Sequence, residues 1–169
     1  ESAVSSNRIE GVEVEQTRIG TIIFGRSHLH DRNEEEVRGY RNSLKWIHEQ
    51  GARLAISEET ILEIHRLTRG ETGDAGQYKK INSDIIEKYP DGRERVRFRT
   101  VEAARVREAI AELIRLWHNC LDDRWVPPLA AMAAFNLDFL CIHPFRDGNG
   151  RVSRLLFLLQ CYNLGYDVG

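Results

Sequence analysis

The ring of a proline pushes the residue before it out of the α-helical region. In this chain His143 precedes Pro144 in the middle of its most apolar stretch. That dipeptide divides the stretch in two. Pro127 and Pro128 suit a first helical turn, where a missing N–H breaks no bond, so one helix is expected from there to Ile142. A second is expected from about Gly150 to Leu164, with Gly165 as its stop. Between them stands HPFRDGNG, and the second helix opens with RVSR. The centre of the fold is therefore a helix–loop–helix with apolar flanks and a polar loop.

The rest of the chain reads as mostly helical. SSNRIEG suits a helical turn or two, with Ser5 or Ser6 as N-cap and Gly11 as stop. Residues 12–32 are mixed, with a β-like patch at IGTIIFG. NEEEVRGYRNSLKWIHEQG predicts a helix capped by Asn33, with Glu36 at the capping-box spacing and Gly51 at its end. Ser57 caps a further helix to about Arg69, and RGETGDAGQ follows as a glycine-rich loop. Asp91-Gly92 marks the turn of an irregular hairpin over about 78–99, with Val96 and Phe98 alternating with arginines. Thr100 is expected to cap a long helix to about Leu121, whose apolar stripe is Val106, Ile110, Leu113, Trp117 and Leu121. The class is mainly α with one hairpin, and 169 residues suit one domain over 1–169.

The loop concentrates groups with chemical uses. His143 stands at a helix end, and an imidazole, which ordinarily titrates near neutrality, can accept a proton there; the alternative is that it only caps carbonyls. Gly148, Asn149 and Gly150 precede a helix N-terminus, where backbone N–H groups hold anions; the alternative is an ordinary turn. Asp147 can hold a divalent cation against a phosphate or simply form the turn. An EF-hand does not fit, because the twelfth position counted from Asp147 is Leu158. Arg151 and Arg154 fall near the start of the second helix, where a cation opposes the macrodipole by roughly 0.3–1 kcal/mol. Either a multiply charged anion binds there, for which arginine is suited, or acidic side chains elsewhere neutralise the pair. Phe145 is read as an anchor turned into the core, fixing the loop.

Composition narrows the classes. With 41% hydrophobic and 30% charged residues and a net charge of -2, there is no global basic field for nucleic acid, nor any helix-turn-helix signature. Cys120, Cys141 and Cys161 lack metal-ligand spacing and pair unevenly, so buried thiols in a reducing cytoplasm are expected. No run is long enough to span a membrane, and the opening residues do not resemble a signal peptide. A first residue other than Met suggests a piece of something longer.

His143, Phe145, Asp147, Gly148, Asn149, Gly150, Arg151 and Arg154 together match H-x-F-x-[D/E]-G-N-G-R-x-x-R, and the sequence here resembles the Fic family. The resemblance extends over most of residues 55–165. It implies a Fic-type helical bundle with a hairpin flap, and transfer of AMP from ATP to a protein Ser, Thr or Tyr hydroxyl with release of pyrophosphate. His143 would deprotonate the hydroxyl, Asp147 would bind Mg²⁺, the Gly148–Asn149–Gly150 loop would hold the anion, and Arg151 and Arg154 would hold the β- and γ-phosphates. The hairpin resembles a flap that clamps the target by strand addition, with Lys80, Ile81 and Asn82 as docking candidates. SNRIEG fits the family's inhibitory pattern [S/T]-x-x-x-E-[G/N] through Ser6, Glu10 and Gly11, making 1–14 an inhibitory segment in which Glu10 pairs with Arg154.

The loop leaves other outcomes open. Doc-like relatives that transfer phosphate carry lysine where Gly150 stands, which argues against that chemistry here. Phosphocholine transfer, removal of AMP, and a nucleotide-binding module with little turnover are alternatives. The target, its acceptor residue, self-modification and oligomeric state are open at this level.

Overall fold

The computed structural model describes residues 2–25, 28–123 and 126–168; Glu1 and Gly169, which end the expected segment and domain, lie outside the described residues. The elements in chain order are α1 (Ser2–Ile9), α2 (Ile19–Phe24), α3 (Arg32–Gln50), α4 (Glu58–Arg69), β1 (Ile85–Lys88), β2 (Glu94–Phe98), α5 (Val106–Asp123), α6 (Pro128–Ile142) and α7 (Asn149–Asn163). They fall into two compact units, one of residues 1–77 with 150–169 and one of residues 78–149.

In the first unit α3 packs on α4. A Cβ at Gly39 would run into the backbone carbonyls of Leu67 and Thr68, so glycine is what admits this close approach. Ser43 and Thr68 hydroxyls meet at 3.0 Å in the same seam, and Val37, Ile47, Ile61 and Ile64 close around them without exposure. Asn163, ending α7, donates to the carbonyls of Gly51 and Leu54 at 3.0 and 2.8 Å, and so ties that helix to the α3–α4 turn.

Several expectations are corrected here. IGTIIFG is not β-like: it forms α2, of which only Ile22 is buried. The reason is tertiary. Arg38, on α3, donates from Nε to the carbonyl of Ile22 at 3.2 Å and from Nη2 to that of Thr21 at 3.4 Å, satisfying helix-end acceptors from outside. The cap of α3 is Asp31, whose carboxylate accepts the Glu34 amide at 2.9 Å, not Asn33. Ser5 and Ser6 sit inside α1 rather than capping it, although Gly11 does stop it with φ +75°. Ser57 caps α4 as expected, accepting the Thr60 amide at 3.2 Å.

The second unit holds the hairpin and the α5–α6 pair. Val106, Ile110, Leu113 and Trp117 are buried, and Trp117 meets Phe135 edge-on at 5.6 Å. Leu121 is only half-buried. Thr100 is not the cap of α5. A 3₁₀ turn over Ala103–Arg105 leads into that helix, and the Ala103 amide donates instead to Asn82 Oδ1 at 2.7 Å. In the hairpin the Gly92 amide reaches the Tyr89 carbonyl at 3.0 Å, and Gly92 has φ +83°, a turn conformation that glycine meets without strain. Ile85 pairs with Phe98 and Ile86 with Val96, so Arg97 is an extra residue bulging β2. Every strand residue is exposed.

The cysteines are free but half-buried rather than fully enclosed. Burial still pushes the Cys161 thiol pKa up, away from reactive thiolate. Among the described residues no helix is long and apolar enough to cross a membrane.

Candidate active site

The polar loop begins where α6 ends. His143 takes φ 52° and ψ 61°, a left-handed conformation, and it is the one non-glycine residue among those described with positive φ. Such a backbone is disfavoured for a residue with a Cβ and persists only where its surroundings hold it. The His143 amide still donates to Phe139 at 3.0 Å, so the turn is made on the last carbonyls of α6. The imidazole is thereby turned out of the helical path and is half-buried.

Two residues brace the rest of the loop. Phe145 is fully buried, stacked on Tyr78 at 5.6 Å and tilted against Phe139 at 6.3 Å. Asn149 clips the loop shut with a two-way bond: its Oδ1 accepts the Phe145 amide at 2.9 Å and its Nδ2 donates to the Phe145 carbonyl at 2.8 Å. The Asn149 side chain is thus used inside the loop. Asp147 Oδ1 accepts the Gly148 amide at 2.6 Å, and Gly148 has φ +85°. The Asp147 carboxylate is half-buried, so solvent reaches it.

Asp147 is not one of a cluster. Among the described residues no three His, Cys, Asp or Glu side chains gather as a metal cage. A single carboxylate is what Mg²⁺ needs when phosphate oxygens and water fill its other positions. The donor set therefore suits a cation that arrives with a nucleotide.

In the first unit the two arginines of α7 have different surroundings. Arg151 is 2% exposed and pairs with Glu36 of α3 at 2.7 Å; it also donates to Asn7 Oδ1 at 3.4 Å. Glu36 in turn accepts from Arg32 at 2.8 Å and Arg69 at 3.2 Å. Arg154 lies nearer solvent. Its Nε donates to Ser6 Oγ at 2.7 Å, and its Nη2 donates to the Ser6 carbonyl at 3.0 Å and to Glu10 Oε1 at 2.8 Å. A Cβ on Gly150 would collide with the Glu10 carboxylate, so glycine at this position is what lets Glu10 lie over the start of α7.

The sequence reading missed Glu36 and Asn7. The capping-box spacing hides this role of Glu36, and nothing local marks it as the partner of Arg151. The docking candidates are dispersed: Lys80 and Ile81 are exposed and precede β1, whereas Asn82 caps the approach to α5.

The model of the Fic/DOC family matches residues 55–161. The chain belongs to the Fic/DOC family. It is 31% identical over 117 residues to the protein adenylyltransferase fic-1 of Caenorhabditis elegans, a match covering 66% of this chain and 20% of that relative. Among solved structures it resembles a Fic-domain-containing signaling protein from Bacteroides thetaiotaomicron, with TM-score 0.79 and 23% identity over 95% of this chain and 61% of that one. A Fic family protein from Desulfovibrio desulfuricans aligns with TM-score 0.69 and 26% identity, over 96% and 46%. The Fic chain thus spans a fifth of the curated relative and about half or more of these structures. The chain itself is mainly helical with one small antiparallel hairpin, as the sequence led one to expect.

Proposed function

We propose that this Fic domain is a protein adenylyltransferase, moving AMP from ATP to a side-chain hydroxyl of a protein and releasing pyrophosphate, and that Glu10 holds it in a resting state. The observation that carries the reading is the engagement by Ser6 and Glu10 of Arg154, the last residue of a complete loop signature in the sequence. A cation at a helix start gains from an anionic partner, and here the partner is one that a nucleotide's terminal phosphate can replace.

In the active state the backbone amides at the start of α7 bind phosphate oxygens, and Arg154, released from Glu10, takes the γ-phosphate. His143 accepts the proton of the attacking hydroxyl, whose oxygen bonds to the α-phosphorus as the bond to pyrophosphate breaks. Asp147 would hold Mg²⁺, which neutralises charge on the phosphates when bound. The buried Arg151, with its charge matched by Glu36, positions α7 more than it reaches for phosphate. The hairpin suits strand addition by an extended target segment, because both strands are exposed and β1 carries no bulge. The partner is a protein with an accessible hydroxyl, which can be the chain itself, in a cytoplasmic setting.

Incubation with labelled ATP and Mg²⁺, followed by mass spectrometry, tests the reading. Glu10→Gly is expected to raise self-labelling by AMP and His143→Ala to abolish it. Label of phosphate or phosphocholine mass would replace AMP transfer with another chemistry, and no gain in Glu10→Gly would remove the resting-state claim.

A further inference from the structure

The strained backbone at His143 needs something to hold it, and the residues flanking it are both held by one residue, through its backbone on one side and its side chain on the other. The Lys79 amide donates to the Pro144 carbonyl at 2.8 Å. The Lys79 ammonium approaches the Ile142 carbonyl at 3.5 Å and donates to Thr100 Oγ1 at 2.7 Å. The carbonyls immediately before and after His143 therefore both face Lys79, one toward its side chain and one toward its backbone. Lys79 is 5% exposed. Lysine is seldom so enclosed without a specific partner.

We propose that Lys79 is a positioning residue for His143, clamping the two neighbouring carbonyls so that the left-handed turn, and with it the direction of the imidazole, is fixed before substrate arrives. The catalytic part of this inference rests on the adenylyl-transfer reading; the conformational part does not. Three observations support it. The Thr100 hydroxyl donates onward to the Ser83 carbonyl at 2.7 Å, so the ammonium is tied to a fixed acceptor. The Thr100 amide donates to Asp84 at 3.2 Å, so the same anchor closes the base of the hairpin. Burial pushes the Lys79 pKa down while Asp84 pulls it back, which marks an enclosed ammonium with a carboxylate nearby. A general base must be aimed within hydrogen-bond reach of its proton, so holding the peptide on both sides of His143 acts directly on the chemistry.

Lys79→Met keeps the aliphatic stem and removes the donors. In the nucleotide-free protein with ¹⁵N-labelled histidine, the His143 ring resonances, assigned by their loss in His143→Ala, are expected to shift or broaden while the other five histidines stay in place. In the Glu10→Gly background, kcat for AMP transfer is expected to fall roughly tenfold to a hundredfold, with KM for ATP nearly unchanged. Lys79→Arg should restore part of the loss. Where Lys79→Met does not fold, Thr100→Val removes the ammonium's acceptor and is expected to move the same resonances. Unmoved His143 resonances in a folded Lys79→Met or Thr100→Val protein, or a rise in KM at constant kcat, overturns the proposal. Moved resonances in a chain whose Glu10→Gly form transfers no AMP sustain the clamp and reject the adenylyl-transfer reading instead.

Discussion

Arg151 and Glu36 meet at 2.7 Å in a pair from which solvent is almost excluded, with side chains 2% and 6% exposed. The arginine belongs to the loop signature and the glutamate to the N-terminal part of α3, more than a hundred residues earlier. Glu36 also serves Arg69, itself 5% exposed. Replacing Glu36 by alanine leaves two buried guanidinium groups without their shared carboxylate. Loss of one partner from a buried ion pair is destabilising by about 3–5 kcal/mol. Urea denaturation followed by circular dichroism is expected to show a loss of that size, with Glu36→Gln intermediate. A loss no larger than that of a surface substitution would mean the network carries little.

Ser6 supplies two of the three bonds to Arg154, one through its hydroxyl and one through its carbonyl. Ser6→Ala removes only the first. A hydrogen bond to a charged group contributes about 1.5–3 kcal/mol, so the fraction of molecules with Arg154 released should rise by roughly tenfold or more. Basal self-labelling with ATP is expected to increase in Ser6→Ala, and to be at least that of Glu10→Gly alone when both are changed.

Gly150 is the point where Glu10 comes closest to α7. An added methyl at this position displaces the carboxylate, since the contact it would make is shorter than real Cβ contacts. Hydrogen exchange, which needs no catalysis, reads the result: amides of residues 3–10 should exchange faster in Gly150→Ala, while those of α3 and α4 keep their protection.

Acid sensitivity has a local source. Arg18 grips Glu34 with two bonds of 2.7 Å, and the His30 amide adds a third at 2.9 Å, so the Glu34 carboxyl pKa is pulled down to about 2. A carboxyl whose folded pKa is depressed stabilises the fold above its unfolded pKa and loses that contribution as pH falls toward the folded value. The Tm difference between the parent protein and Glu34→Gln is expected to be full near neutrality and to shrink as pH drops below about 4.5 toward 2. A difference independent of pH would assign the effect of the substitution to packing.

Sequence alone made legible whatever depends on neighbours a few residues apart. Pro144 marks the end of α6 at Ile142, Ser57 caps α4, Asp91-Gly92 turns the hairpin, and Phe145 is buried as the loop's anchor. What it hid was set by distant partners. IGTIIFG is β-like by composition, and Arg38 makes it a helix. Thr100 has the chemistry of a cap, but its hydroxyl is used by Ser83 and Lys79. Arg151 and Arg154 look equivalent at the start of one helix. Only the folded chain separates an enclosed arginine matched by Glu36 from one facing solvent under Ser6 and Glu10.

Ser6 lies in α1, a helix of eight residues, and Glu10 follows directly on its end. Helices shorter than about 12–15 residues are marginal by themselves, and the Arg154–Glu10 pair is about one-third exposed, where ion pairs contribute roughly 0–1 kcal/mol. If this contact is the brake proposed above, a brake of this build would slip. Minor states a few kcal/mol above the resting one are populated on the order of 0.1–10%, and under the proposed function that fraction would set the idling rate of the unmodified protein. Small perturbations of α1, from a partner, a covalent mark or temperature, would then act as a throttle on a motor already turning over, shifting its speed by degrees.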